Sequence, residues 1–400
     1  MAEYNPDRIA LMRRLEKKTQ AELVMGMGIS ASKLSKIQNR IIPFTENDAY
    51  KLATYIDYPV SFFVMSDIPT PPTELTYRRT SKTLVREISA VSAEYELMVG
   101  AVHRVAEKLG MKSRLQWIDE ISPRESGQLG IDEINRLAQK ARKYLGLQET
   151  GPVPNVTRAL ERVGIVVLPM HSAGEESGYK TTSEGVSDPN LKTEIPVIGY
   201  LGRANTGDRL RFTKAHELGH MILHKHRRPS TRQQMENEAH RFAGAFLMPE
   251  KDARSIFSPT SSMSIFFHAK AGWGMAISAL IMRASALGII DAQRTRSLQV
   301  QLSARGWKKN EPVGVAVESP ILFKQMLGQA YGRIVSPTEV VVDSFQIANE
   351  LGVPFRYLDL WADGLQEEGM ADGFCEARLK RAKLVPRFTD VSEEEEASIP

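Results

Sequence analysis

Five consecutive residues, His216-Glu217-Leu218-Gly219-His220, carry the densest chemistry in this 400-residue chain. Histidines four apart share one face of an α-helix, so both imidazoles can reach a single ion. Zinc accepts neutral imidazole nitrogen well, and a catalytic zinc keeps one position open for water. Glu217, one residue past the first histidine, stands where a carboxylate can take a proton from that water as it attacks a peptide carbonyl. Leu210, Phe212, Ala215, Met221, Ile222 and Leu223 supply the apolar faces of a buried helix around the motif. Two histidines and a glutamate on such a helix need partners, and a metal supplies them. The expectation is one Zn2+ per chain, with His216 and His220 as metal ligands and Glu217 as the catalytic base.

A catalytic zinc needs a third protein ligand, for which three residues compete. His226 falls where the pattern HExxHxxGxxH has its last histidine, but Leu223 occupies the glycine position that would turn the chain back. Glu236 and Glu238 lie on the next helical segment, as in thermolysin-like zincins. There Ala239, Phe242, Ala243, Phe246 and Leu247 form an apolar stripe at helical spacing. Glu236 sits at the edge of that stripe and Glu238 falls away from it, towards solvent, so Glu236 is the expected third ligand. His240 shares the face of Glu236 and reads either as a support behind the ligands or as a surface residue. His224 and His226 read as solvated residues at a helix end, where cations suit the dipole.

The run Thr206-Gly-Asp-Arg-Leu-Arg-Phe-Thr-Lys-Ala-His-Glu-Leu-Gly-His-Met-Ile-Leu-His224, followed by Glu236-x-Glu-Ala-x-x-Phe-Ala-x-x-Phe-Leu-Met-Pro249, resembles the ImmA/IrrE family of metallo-endopeptidases. Upstream, Gly151-Pro-Val-Pro-Asn and Leu160-Glu-Arg-Val-Gly-Ile-Val-Val are similar as well. The similarity spans about 131–252 and continues more weakly through Trp273 to Trp307. The resemblance implies intracellular cleavage of a transcriptional repressor, switching on stress genes or mobile-element transfer. It implies His, His and Glu ligands with a Glu base, which map to His216, His220, Glu236 and Glu217. Lys214 replaces the family's usual apolar residue, a change expected to bear on substrate contacts. Nothing resembles the GAF-like sensor domain of the radiation-response members.

Residues 8–63 resemble the lambda-repressor-like (XRE) helix-turn-helix. Thr19-Gln-Ala-Glu-Leu23 opens a second helix, Met27-Gly-Ile-Ser30 makes the turn, and Ala31 to Ile37 form the recognition helix. Thr19 can cap the second helix and Gln20 can meet a phosphate. Ser30 caps the third helix and leaves Ala31, Ser32, Lys33 and Lys36 for the major groove of a double-stranded operator. The family's Glu-Asn-Gly is Gln38-Asn39-Arg40 here and the segment is only mildly basic, so a helical bundle used for protein contacts is the alternative. One such domain reads a short half-site, so a homodimer is expected, with the helix from Leu84 to Leu109 as a means of pairing.

The elements that must position these residues are mostly helical. The 42% hydrophobic and 25% charged fractions are those of a globular chain, and a net charge of +4 permits nucleic-acid contact without requiring it. Cys375 is the sole cysteine, which excludes an intrachain disulfide framework and a Cys-based zinc ribbon. The N-terminus lacks a basic region followed by an apolar run, and the most apolar window, Trp273 to Ile290, is broken by Arg283 and glycines. A cytoplasmic protein with no membrane partner is expected. Four regions are expected: 1–68, the helix-turn-helix; 69–128, a linker at Pro69, Pro71 and Pro72 plus the amphipathic Leu84–Leu109 helix; 129–255, the peptidase; and 256–400, a helical C-terminal region ending in the acidic run Glu393 to Glu396. Within the peptidase region helices are expected over Ile131–Leu147, Asn155–Val163, Arg209–His224 and Gln233–Leu247. Strands are expected over Ile165–Leu168 and Pro196–Leu201, with loops or hairpin edges over Ser172–Asn190. The fold class is mainly α with a small α+β zincin-type domain. The competing function is an XRE-family transcription factor whose zinc domain regulates without proteolysis.

Overall fold

The computed structural model of the chain describes residues 3–65, 85–171, 185–188, 195–201, 206–308 and 310–367. It is mainly helical with small mixed sheets, in the class expected. The N-terminal bundle comprises α1 (Asp7–Leu15), α2 (Gln20–Met27), α3 (Ala31–Gln38), α4 (Glu46–Ile56) and a 3-10 turn at Val60–Phe63. The long α5 (Val85–Lys108) leads to α6 (Gln116–Ile121), α7 (Ile131–Tyr144) and α8 (Val156–Arg162). Three strands follow, β1 (Val166–Pro169), β2 (Gly185–Ser187) and β3 (Val197–Tyr200). Then come α9 (Gly207–Leu223), α10 (Arg232–Leu247), α11 (Glu250–Ile256), α12 (Met263–Trp273), α13 (Ile277–Ala286) and α14 (Ala292–Ala304). The described chain ends with α15 (Leu322–Tyr331), β4 (Gly332–Ser336), β5 (Glu339–Val342), α16 (Ser344–Leu351), α17 (Phe355–Trp361) and β6 (Gln366–Glu367).

Sheet order β1-β3-β2 puts β3 in the centre, parallel to β1 and antiparallel to β2. Both faces are covered, which is why β1 and β3 read as unbroken apolar runs. Alternate residues enter different cores. Val166, Leu168 and Val197 join one with the N-terminal bundle, α5 and the C-terminal helices, while Val167, Ile198 and Tyr200 join another with α6 to α14. The sheet thus partitions the molecule, and the motif helix α9 lies on the second side.

The region beyond 256 is mostly helical, as expected, and also carries a second three-stranded sheet of β4, β5 and β6. Its first half packs with α9 and α10, and its second half joins the core of the N-terminal bundle. The Leu84–Leu109 helix is present as α5, yet nearly every residue from Ala90 to Ala106 is buried within the chain. Two of its glutamates are claimed by α1 and its flank, with Arg14 on Glu96 at 2.5 Å and Lys17 on Glu87 at 2.6 Å, while Glu94 accepts from Trp361 and from His171 N. No apolar stripe stays open on it for a second copy. The acidic run Glu393 to Glu396 and the linker prolines lie outside the described residues.

An extended segment between α14 and α15 fastens the start of α9. Gly207 N–H donates to Val315 O at 3.2 Å, and a Cβ on Gly207 would fall 2.1 Å from Ala316 O, so only glycine fits. Glu318 accepts from Val156 N and Thr157 N, at 3.0 and 2.8 Å, and pairs with Arg211 of α9. Lys270 of α12 pairs with Asp208 at 2.5 Å and with Glu311 at 2.6 Å. Among the described residues no single helix is long and apolar enough to cross a membrane. The apolar window ending at Ile290 contains α13, whose Ile277, Leu280, Ile281 and Ala284 are fully enclosed.

Candidate metal centre and its groove

Helices α9 and α10 pack face to face and carry the candidate residues on their contact side. Thr231 starts α10 with a capping box: its side chain accepts from Gln234 N while Gln234 reaches back to Thr231 N. This sets Glu236 one turn into the helix, opposite His216 and His220. His220 Nε2 lies 3.0 Å from His216 Nε2 and 3.8 Å from Glu236 Oε1, and His216 Nε2 lies 3.5 Å from Glu236 Oε2. Tetrahedral ligation with bonds of about 2.0–2.1 Å holds ligand atoms roughly 3.3 Å apart. The three separations bracket that value, so the donor set fits a zinc-sized ion.

His240 enters a second, looser set. His216, Glu236 and His240 each offer an atom within 4.8 Å of the others. His240 is exposed, its ring edge meets His216 at a centroid distance of 4.4 Å, and its Nδ1 donates to Glu236 O at 2.7 Å. The two sets share His216 and Glu236. The one containing His220 is the more buried, since His220 is fully enclosed and His240 is exposed.

Burial, reinforced by His216 and His224, pushes the His220 pKa well below its usual value. Neutral imidazole is the form that binds a metal. Burial would raise the Glu236 carboxyl, but its hydrogen bond with His216 and the neighbouring imidazoles hold it low, as an ionised ligand.

Glu238 and His224 are not where the helix periodicity put them. Both are fully buried. Glu238 accepts from Arg227 at 2.5 and 3.3 Å, from Leu129 N at 3.0 Å and from His224 Nε2 at 3.2 Å. Burial alone would raise its pKa, but the His224 and Arg227 hydrogen bonds bring it to about 2. His224 Nδ1 in turn lies 2.9 Å from His220 Nδ1. Burial lowers the His224 pKa against the pull of Glu238. The Glu238 position of α10 is therefore covered by Arg227 and the segment before α7, while Gln233, Asn237 and Arg241 on the same helix meet water. His226 does stand at the surface, paired with Asp119 at 2.6 Å, and takes no part in the centre.

Glu217 is nearly enclosed, and Ser187 Oγ donates to its Oε2 at 2.6 Å. A Cβ on Gly185 would fall 2.6 Å from Glu217 Oε1. The edge strand β2 thus forms a seat for this carboxylate. Gly185 and Ser187 come from the Gly/Ser/Thr-rich stretch expected to form loops or hairpin edges, and here they form an edge strand antiparallel to β3. His216, Glu217, Glu236 and His240 all face one groove of about 930 Å³. Its far wall is α13, through Ala276, Ala279 and the exposed Met282, so the C-terminal region helps to build it. Lys214 does not reach the groove. It is buried, donates to Thr157 Oγ1 at 2.6 Å and to Glu318 O at 3.2 Å, and burial pushes its pKa down to about 8.

In the N-terminal bundle, α2 ends at Gly28 in the left-handed conformation (φ 61°) and Ser30 Oγ accepts from Lys33 N at 3.1 Å to start α3. Thr19 and Glu22 form a capping box on α2. Ala31, Ser32 and Lys36 are exposed and Gln20 is half-buried. Lys33 Nζ is held by the buried Asp48 at 2.6 Å, so its charge is already matched.

Residues 160–282, from the end of α8 to α13, match the family model of the IrrE N-terminal-like domain, Peptidase_M78. This segment is similar to a metallopeptidase family's domain, and it contains a group of side chains able to hold a metal. The match does not extend to the N-terminal bundle or beyond α13. No curated protein matches the chain.

Proposed function

We propose that this chain is a cytoplasmic zinc-dependent endopeptidase that cuts a protein partner, a transcriptional repressor, and binds operator DNA through its N-terminal bundle. The observation that carries the peptidase reading is the seating of Glu217. A structural zinc site needs no carboxylate beside it, yet here one is clamped by Ser187 and opens on the same groove as His216 and Glu236. His216, His220 and Glu236 would hold the ion, which when bound polarises a carbonyl and acidifies water. Glu217 would accept the proton. Strand β2 and the wall of α13 bound the groove that would take the peptide.

The DNA-binding reading rests on the capped α2 and α3, with Ala31, Ser32 and Lys36 exposed at the start and along the face of α3 and Ser30 and Gln20 at the helix starts. With Lys33 tied to Asp48, the cationic contact falls to Lys36. Useful affinity from a single short half-site calls for two copies.

The test is Glu217→Gln assayed against repressors from neighbouring loci, with fragments mapped by mass. Loss of cleavage by about three orders of magnitude, with zinc and DNA binding kept, is the expected result. Wild-type protein that loads zinc and cuts no candidate, while regulating transcription unchanged by Glu217→Gln, would favour a transcription factor with a regulatory zinc module.

A further inference from the structure

The cluster behind the metal position fixes more than the packing of two helices. Arg227 meets Glu238 through both terminal nitrogens, and Leu129 N–H donates to the same carboxylate. Such a carboxylate only accepts. His224 Nε2, 3.2 Å from Glu238 Oε2, must therefore carry the hydrogen. A neutral imidazole with hydrogen on Nε2 has its lone pair on Nδ1. That lone pair faces His220 Nδ1 at 2.9 Å, a distance at which two lone pairs would repel, so His220 Nδ1 must be the donor. The remaining lone pair of His220 then sits on Nε2, the atom 3.0 Å from His216 Nε2 and 3.8 Å from Glu236 Oε1.

We infer that His224, oriented by Glu238 and Arg227, is a positioning residue that locks His220 in the tautomer whose Nε2 lone pair faces the metal. This rests on the reading of His216, His220 and Glu236 as ligands. The chain of bonds runs through buried groups only, with His224, His220 and Glu238 at 0% exposure, so water cannot substitute for any member. His216 differs, since its buried Nδ1 has no hydrogen-bond partner among the described residues. One ligand of the pair is pre-set and the other is left to the ion. A ligand-supporting hydrogen bond of this kind typically changes metal affinity 10–100-fold.

The experiment reads the tautomer directly. Full-length protein labelled with 15N-histidine is studied by long-range 1H–15N correlation, metal-free and with zinc, with His220 assigned by substitution. His220 is expected to carry hydrogen on Nδ1 in both states, with the Nε2 resonance alone moving on zinc addition. Zinc affinity, measured by chelator competition, should fall about 10–100-fold in His224→Leu. His224→Gln, whose amide can accept from His220 and donate to Glu238, should recover most of the loss. A wild-type His220 with hydrogen on Nε2 overturns the inference, as does equal zinc affinity in wild type and His224→Leu. If His224→Leu does not fold, the wild-type tautomer decides alone. Peptide cleavage at full rate with His220 in the other tautomer sinks only the relay. Tight zinc binding with the expected tautomer and no cleavage sinks only the peptidase reading.

Discussion

Replacing Gly185 with alanine would push a methyl group into the seat of Glu217. The new Cβ would lie 2.6 Å from Glu217 Oε1, 2.7 Å from Thr213 Cγ2 and 2.8 Å from Glu217 Cγ, whereas ordinary contact begins near 3.4 Å. Relief requires the carboxylate to move by about 0.8 Å, or the strand to retreat by as much. Gly185 does not use a left-handed backbone, so alanine brings steric conflict and no backbone penalty. Overpacking of this kind costs about 1–3 kcal/mol in stability. For catalysis the consequence is larger, because displacing a reacting group by about 1 Å can cost on the order of 10²-fold in rate. None of the three nearest atoms belongs to His216, His220 or Glu236, so zinc binding should be kept. The assay pairs metal stoichiometry with single-turnover cleavage of a quenched peptide. One zinc per chain with a rate reduced by about two orders of magnitude is expected. A variant that loads zinc and cleaves at the wild-type rate would refute both the seating of Glu217 on β2 and its role as base.

Three further variants test other parts of the structure. Burial raises the Glu94 carboxyl from 4.5 to about 7, against hydrogen bonds from Trp361 and His171 N and with a further push from Glu16. Below about pH 4.5 it is neutral in folded and unfolded chains alike; between 4.5 and 7 only the unfolded chain ionises, so stability falls as pH rises and levels off above 7. Glu94→Gln keeps an acceptor for both donors and should raise stability at pH 8 by on the order of 3 kcal/mol, with no gain at pH 4; equal melting shifts at the two pH values would contradict this. On the N-terminal bundle, Lys36→Glu should weaken operator binding and lower the salt slope by about one, while Lys33→Ala should mainly destabilise the bundle by stranding buried Asp48; an unchanged salt slope in Lys36→Glu would remove α3 from the DNA interface.

What could be read from the residues alone divides along physical lines. The spacing of His216 and His220 is local, so a helix forces them onto one face whatever surrounds it, and Glu236 follows from the stripe Ala239, Phe242, Phe246. Apolar periodicity assumes that whatever lies off the stripe meets water. Helix α10 violates that assumption: Glu238, 0% exposed, faces Arg227 and the chain before α7. A helix buried on a polar side leaves no apolar signature there. The same blindness turned His224 into a solvated residue at a helix end. The seat of Glu217 fails for a different reason. Strand β2 is three residues long and exists because Gly185 to Ser187 pair with Ile198 to Tyr200, a contact no local pattern encodes. For β5 a signal was present, since Val340-Val341-Val342 after Pro337 and Thr338 is a β-branched run behind a turn, but its length also suits a helix end. The residues that steady the ligands and the base, Glu238, His224, Ser187 and Gly185, are held by partners distant in sequence or polar in kind. The five-residue motif states which atoms could react; the atoms that fix their direction come from α10, the segment before α7 and an edge strand. A perturbation there should therefore alter rate or metal affinity while leaving the motif itself intact.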